Sequence, residues 1–381
     1  MFGVSASIFN EAGSLVRDWL KNPLNTSFFF WYFLPAVGFV LLQLFLVAPA
    51  LGKEFPRIFD ADIRTQASFA DLIVAVLNAS FFTLILLPLV MGVLMSALSG
   101  RVLHLYQGTL PIVRPLFQPW LARKRKRNTE LYGGLRMLRR QYLFLVSQGV
   151  RLEFVNGQEK AIQVTESERG ALIDQLKQET QAVHEELEAN PTAPDLPVDI
   201  DRVGATDLAN TLGLAEEYPF ERYGIDTAVF WPRLTAEIEP QKLDALKASF
   251  GALNGFLNLS LLLYLAAFEL VIVAIVMTGG VADPNPQLVL TAPWLALVVI
   301  AIGLFSLLLG YGSYRAAVGS ARAVGNTMRT AFDYYRGNIL KRFNLRMPDD
   351  IADERVVWLK LAAFIRRGES FYYPSDFRDG G

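Results

Sequence analysis

PQKLDALKASFGALNGFLNLSLLLYLAAFELVIVAIVMTGG, which spans residues 240–280, is the stretch around which the rest of the chain is arranged. Pro240 suits the first turn of a helix, and Gly279–Gly280 suits its end. No proline interrupts the interval, so we predict a single helix from Pro240 to Thr278. At about 1.5 Å per residue its 39 residues extend roughly 58 Å, more than the roughly 30 Å of a hydrocarbon core. We expect this helix to leave the cytoplasmic surface and continue through the bilayer.

One face of this predicted helix combines small residues with the only charge in its apolar part. At about 100° per residue, Glu269 falls close to the same line as an amide and two glycines. Small residues let another backbone come close, and an ionised carboxylate at mid-membrane costs several kcal/mol at least. The face should therefore turn toward protein or water rather than lipid. Its members are Gly251, Gly255, Asn258, Leu262, Ala266 and Glu269.

Glu269 and Asn258 form a candidate intramembrane polar site with two interpretations. In the functional interpretation, Glu269 is a proton or cation site or a gate residue, because charges within a membrane usually serve a function. In the structural interpretation, Glu269 is a protonated carboxyl group that is hydrogen-bonded to a neighbouring helix. The sequence leaves both interpretations open.

Charge is distributed unevenly along the 381-residue chain, which is 52% hydrophobic with a mean hydropathy of +0.30. Three intervals, residues 22–52, 72–100 and 284–314, contain no charged residue, and residues 248–282 contain only Glu269. Each interval exceeds the roughly 20 residues that a spanning helix needs. We therefore predict a mainly α, polytopic membrane protein with four transmembrane helices.

The distribution of lysine and arginine sets the expected orientation. The connection between the third and fourth spans, residues 279–287, has neither residue, whereas the regions after the second and fourth spans are rich in them. The positive-inside rule then places both termini and the central region in the cytoplasm, and we expect the bacterial inner (plasma) membrane. The predicted layout is an interfacial amphipathic helix (1–23), transmembrane helices 1 and 2 (24–100), an interfacial segment with a basic cluster (101–128), a cytoplasmic α+β domain (129–239), transmembrane helices 3 and 4 with a helical stalk (240–315) and cytoplasmic C-terminal helices (316–381).

Local signals within residues 129–239 predict both strands and helices. Asn156-Gly157 lies between two runs of strand-forming residues and predicts a hairpin. Thr165 and Glu168 form a capping box that opens a helix. The aromatic passage at residues 218–234 is interpreted either as a recognition surface for a protein partner or as a rigid plug that joins the domain to the long helix.

Two patterns run side by side from the end of the fourth span. Small residues recur on one line and form a second helix-packing face, while arginines recur every seven residues and form a slowly drifting stripe. The stripe could bind phosphates, lipid headgroups or an acidic ligand, or it could pair with acidic side chains of the same chain or a neighbouring subunit. The small residues are Gly312, Ala316, Gly319 and Ala323, and the arginine stripe is Arg315, Arg322, Arg329 and Arg336.

A run of five basic residues follows the second span. Near an anionic bilayer each of them contributes about 1 kcal/mol of attraction, so contact with membrane lipids is one interpretation. A topogenic signal without a later role is the other. Nucleic-acid binding is not expected, because the run is short and faces the membrane. The run is Arg123, Lys124, Arg125, Lys126 and Arg127.

The residues needed for several kinds of chemistry are missing from the sequence. Cysteine is absent, which excludes disulfides, thiolate metal sites and cysteine nucleophiles. The only histidines, His104 and His184, are eighty positions apart, which disfavours a histidine metal site or a Ser-His-Asp triad. The common phosphate-loop, dinucleotide, zinc-peptidase and serine-hydrolase motifs do not occur either. We expect no cofactor and no metal.

Three hypotheses for function follow. The first is a non-enzymatic inner-membrane protein that forms homo-oligomers through its small-residue faces and couples a cytoplasmic sensing or interaction domain to the membrane, as a sensor, scaffold or membrane effector. The second is an ion channel or pore with Glu269 in the conduction or gating path. The third is a membrane-bound enzyme that acts on lipid or nucleotide through the arginine stripe and the carboxylates of the cytoplasmic domain.

Overall fold

The computed structural model describes residues 28–43, 47, 85–155, 158–188, 196–278 and 293–371, which form a mainly α-helical fold. The amphipathic helix predicted for residues 1–23 lies outside the described residues. The helices are a π-helical turn (Phe29–Phe33) that leads into α1 (Leu34–Leu42), then α2 (Leu87–Gln107), α3 (Arg114–Gln148), α4 (Glu166–Glu188), α5 (Asp207–Tyr223), α6 (Thr227–Thr235), α7 (Pro240–Thr278), α8 (Pro293–Arg342) and α9 (Ile351–Arg367). The strands are β1 (Val150–Val155) and β2 (Gln158–Gln163).

The two longest helices, α7 and α8, pack against each other along much of their length. They run in opposite directions, because Gly310 of α8 lies against Tyr264 of α7, whereas Gly303 lies against Leu270. The bounds of α7 are those predicted from its sequence, and α8 continues for 50 residues, well beyond the predicted fourth span. We call this pair the stalk.

Among the described residues, three helices are long and apolar enough to cross a membrane, at Leu87–Gln107, Pro240–Ile275 and Ala296–Arg342. The chain is therefore a mainly α protein with membrane-embedded helices. The described part of the first predicted span is a shorter apolar helix, Phe29–Leu42, and residues 72–84 of the second predicted span lie outside the described residues. That the chain has four transmembrane helices stays a prediction.

The helix α1 and the turn before it pack on α7 and run in the same direction. Trp31 lies against Gly255 near the polar end of the apolar part of α7, whereas Val47 packs against Leu270 and Val273 further along. The helix α2 closes the group, since Gly92 lies close to residues of the π-helical turn. These contacts bring α1, α2 and α7 together in one small bundle.

The segment between residues 101 and 128, predicted as interfacial, is mostly helical. The helix α2 continues to Gln107 and ends at Gly108, whose φ of +71° suits glycine. After a short turn, α3 starts with Pro115 in its first turn, where a missing N–H costs little, and continues through Pro119 to Gln148. The predicted boundary at residue 128 therefore lies inside one continuous helix.

Within the predicted region 129–239, the described elements include both strands and helices, and an α+β domain with these bounds stays a prediction. The strands β1 and β2 pair in antiparallel register, with Val150 opposite Gln163, and they pack with α3 and α4. One half of the predicted capping box forms, because the Glu168 carboxylate accepts from the backbone N–H of Thr165 at 3.4 Å, and the Thr165 hydroxyl donates to the same carboxylate at 2.7 Å. The helices α5 and α6, in contrast, pack on α8 and α9.

We call α5, α6 and α9 together with the polar ends of α7 and α8 the head. Its core includes the aromatic passage at residues 218–234, in which Phe230 and Trp231 are buried. Phe230 meets Trp358 of α9 edge-on, with ring centroids 4.8 Å apart, and Trp231 lies near Phe332 of α8. This burial favours the plug interpretation over a recognition surface.

We expect Trp358→Ala to destabilise the head by about 3–5 kcal/mol, because it leaves a cavity where a fully buried ring packs on Phe230. The measurement is the thermal unfolding midpoint of the detergent-solubilised protein. Leu359→Ala, at a neighbouring side chain that is 44% exposed, is the matched control and should cost under about 1 kcal/mol. Equal losses in both variants would contradict the assigned core.

Candidate functional site

The carboxyl group of Glu269 is hydrogen-bonded to another side chain of the same chain. Gln43, at the end of α1, donates a hydrogen bond from Nε2 to Oε2 of Glu269. Just beyond this contact the surroundings are apolar, because Val47, Leu270 and Val273 form a small buried cluster. The sequence predicted that this carboxyl group needs a polar partner away from lipid, and the amide of Gln43 is that partner.

Asn258 lies apart from Glu269 on the same helix. Eleven residues separate them, or roughly 16 Å of helix, so they do not form a single site. The Asn258 side chain is only 1% exposed, and neither its Oδ1 nor its Nδ2 has a hydrogen-bond partner among the described residues. A buried polar group left unpaired costs about 1–3 kcal/mol, which makes this amide a natural position for a bound water.

The small-residue face of α7 is occupied by α1. A Cβ atom added to Gly255 would lie 2.5–2.8 Å from atoms of Trp31, and one added to Gly251 would lie 3.8 Å from the same ring. Trp31 also packs edge-on against Phe256, with ring centroids 5.0 Å apart. The close approach predicted from the glycines is therefore made within one chain, by an aromatic ring rather than by a second backbone.

The small-residue face of α8 is open. A Cβ atom added to Gly312 or Gly319 meets no atom within 4 Å among the described residues. Ala323 on the same face is exposed, and Ala316 is half-buried. The two faces that looked alike in sequence thus differ in structure, since one is filled and the other is accessible.

The first arginine of the stripe joins the basic run through a shared carboxylate. Asp207, at the start of α5, accepts from Nζ of Lys124 at 2.7 Å and lies 3.5 Å from a guanidinium nitrogen of Arg315. The hydrogen bond from Lys124, together with the charges of Lys124, Arg315 and Arg322, lowers the pKa of Asp207. The other four residues of the run, Arg123, Arg125, Lys126 and Arg127, are exposed on α3.

The last arginine of the stripe is held inside the head. Arg336 pairs with the buried Glu354 at 2.9 Å, and its guanidinium carbon lies 4.0 Å from the ring centroid of Tyr223. Asp333, three residues earlier, accepts from the hydroxyls of Tyr223 at 2.7 Å and Tyr218 at 3.0 Å. Burial and the hydrogen bond to Asp333 raise the pKa of Tyr223 to about 12, so this hydroxyl remains a donor at neutral pH. Both ends of the stripe thus pair within the chain.

The two middle arginines line a pocket between α5 and α8. Arg322, Asn326 and Arg329 come from α8, and Thr211 comes from α5. The cavity has a volume of about 180 Å³. Sequence analysis placed both arginines on one stripe, but only the packing of α5 against α8 creates an enclosed space beside them.

A larger cavity of about 540 Å³ lies where the apolar parts of the helices meet the head. Aromatic rings dominate its wall, and the Lys124–Asp207 pair lies on its border. The sequence did not predict this cavity, because its wall comes from five helices that are far apart in the chain. The aromatic members are Tyr106, Phe117, Trp120, Tyr264, Tyr311 and Tyr314.

Comparisons of the chain with protein families, with curated proteins and with solved structures give no match. Among the residues that the structure describes, no group of three or more His, Asp or Glu side chains could hold a metal ion.

We expect Gly255→Leu to lower the thermal stability of the protein in detergent, because the new side chain collides with Trp31 and overpacking costs about 1–3 kcal/mol. Gly319→Leu should leave the stability of the single chain unchanged within about 1 kcal/mol, since the position is open. A further Trp31→Ala substitution should recover part of the loss in the Gly255→Leu variant. No recovery in the double variant would disprove the contact.

Proposed function

We propose that this protein is a non-enzymatic, oligomeric membrane protein that couples a cytoplasmic head to the bilayer as a sensor, scaffold or membrane effector. The observation that carries the proposal is the continuity of α7 and α8, which extend without a break from their apolar parts into the core of the head. Neither helix has a flexible linker between its apolar part and the head. A movement of the head is therefore transmitted to the membrane part, and a movement of the membrane part is transmitted to the head.

The way the head is built supports this coupling. Leu253 and Leu257 of α7 and Val324 and Phe332 of α8 belong to the same buried core as the helices that pack around them. Because packed interiors resist deformation, a ligand or partner that shifts α5 or α9 would also shift the two long helices. The proposed orientation, with the head and both termini in the cytoplasm of a bacterial cell, rests on the lysine and arginine bias.

The larger cavity supports the proposal that membrane lipids are partners of this protein. The cavity of about 540 Å³ has a mostly aromatic wall and lies beside Arg315, the first charged residue after the apolar part of α8. Tyrosine and tryptophan are enriched at the interface between membrane and water. The exposed basic residues of α3 begin beside this cavity, where they can attract anionic lipid headgroups. We propose that lipid from the cytoplasmic leaflet fills this cavity.

Self-association is assigned to the open face of α8. Gly312 and Gly319 leave room for a second helix, and exposed apolar side chains such as Leu308 and Phe305 surround the part of the face within the span. Packing of small residues is a common way for helices to associate in membranes. The face of α7 is not available for this role, because Trp31 occupies it.

We expect the Gly312→Leu, Gly319→Leu double variant to shift the purified protein from an oligomer to a smaller species. The measurement is the molar mass of the protein component by light scattering after gel filtration in detergent. Ala245→Leu, at an exposed position on α7, is the control for adding leucine to the stalk. A wild-type monomer, or an oligomer that the double variant leaves intact, would reject the proposed face.

Ion conduction through Glu269 stays the alternative, and the Gln43 contact supports a packing role instead. We expect Glu269→Gln to keep thermal stability within about 1 kcal/mol, because its side-chain oxygen still accepts from Gln43. Glu269→Leu should be less stable, since it leaves the half-buried Gln43 amide without this acceptor. Ion flux into proteoliposomes is the second measurement, and flux in the wild type that Glu269→Gln abolishes would favour the channel.

A further inference from the structure

Arg329 is a half-buried cation without a counter-ion. Its Nε atom is buried and has no hydrogen-bond partner, and the described residues provide no ion pair for its guanidinium. Its guanidinium carbon lies 5.4 Å from the ring centroid of Tyr218. Enclosing an unpaired charge is unfavourable, so an arginine in this situation points to a missing anion.

The pocket beside Arg329 has the composition of an anion site. Arg322 adds a second guanidinium, and Thr211 and Asn326 add side-chain hydrogen-bond donors. No carboxylate is among the described residues that line it. A volume of about 180 Å³ holds several waters, which is also enough for a tetrahedral oxyanion. Planar guanidinium groups match the oxygen geometry of such an anion particularly well.

The acidic side chains nearest in sequence are engaged elsewhere. Asp333 accepts hydrogen bonds from two tyrosine hydroxyls, and Asp207 pairs with Lys124 and Arg315. The charge of Arg322 also lowers the pKa of Asp207, but Lys124 and Arg315 lower it more. Among the described residues, no carboxylate lines the pocket or pairs with Arg329, so the charge of Arg329 is left for a ligand to balance.

Depth along α8 distinguishes a soluble anion from a lipid headgroup. Arg315 is the first charged residue after the apolar part, and Arg322 and Arg329 follow it by 7 and 14 residues. At about 1.5 Å per residue these positions lie roughly 10 and 21 Å further from the membrane. The headgroup layer extends only roughly 5–7 Å beyond the hydrocarbon core on each side. The pocket therefore opens to water beyond the lipid surface.

We propose that Arg322, Arg329, Asn326 and Thr211 bind the phosphoryl group of a soluble molecule. The bound group bridges α5 and α8, the helix that continues into the membrane. The site is thus placed to make the packing of the head on the stalk depend on a ligand. The assignment does not depend on self-association, because all four residues belong to one chain.

Inorganic phosphate is the probe for this site. Full-length protein in maltoside micelles is titrated at constant ionic strength, and the ³¹P line width of phosphate reports binding. We expect saturable binding by the wild type and an affinity at least tenfold weaker in Arg322→Gln and Arg329→Gln. Arg346→Gln, at an exposed arginine outside the pocket that pairs with Asp349, should bind like the wild type.

A second measurement separates binding from a structural role of Arg329. Without phosphate, Arg329→Met should be at least as stable to heat as the wild type, because it removes an uncompensated charge. Strong destabilisation of this variant, no saturable binding by the wild type, or equal affinities of Arg322→Gln and Arg346→Gln would overturn the site. Binding confined to nanodiscs that contain phosphatidic acid would overturn the assignment to a soluble molecule.

Discussion

The packing of α7 against α8 is the contact on which the rest of the structure depends. Gly303 and Gly310 let the two helices approach closely, and the Ser260 hydroxyl donates to the Gly310 carbonyl oxygen at 2.8 Å. Between apolar helices in lipid the hydrophobic effect offers no preference for association, so close packing and such hydrogen bonds must supply it. Further along, the same pair contributes Leu253 and Phe332 to a core formed in water. One interface is thus stabilised by two different forces along its length.

Some polar groups have an ion-pair or hydrogen-bond partner within the chain, and others have none among the described residues. Arg315 and Arg336, at the two ends of the stripe, are neutralised by carboxylates of the head. Arg329 and Asn258 are enclosed without a partner among the described residues. Because an unpaired buried group costs more than a typical hydrogen bond gains, the second set marks where a ligand or water belongs, whereas the first set holds the fold together.

Sequence reasoning succeeded where the determinants were local. The bounds of α7 follow from Pro240 and the glycines after Thr278, and the contact between Thr165 and Glu168 follows from spacing alone. It did not predict that α3 runs from Arg114 to Gln148, because a proline suits the first turn of a helix, as at Pro115, but is unfavourable in the interior, where Pro119 nonetheless lies. The distinction depends on where the preceding turn ends, which neighbouring elements help to set.

By itself, the sequence determined that long apolar helices continue into a charged region, that a carboxyl group lies within one of them, and that two faces of small residues accompany them. These features follow from hydropathy and helical periodicity, which are properties of consecutive residues. Only the tertiary structure decided that Trp31 fills the face at Gly255 while the face at Gly319 stays open, and that Arg322 and Arg329 border a pocket. A periodic pattern specifies which side chains share a surface. What meets that surface depends on contacts between residues far apart in the chain, and those contacts form only when the helices pack.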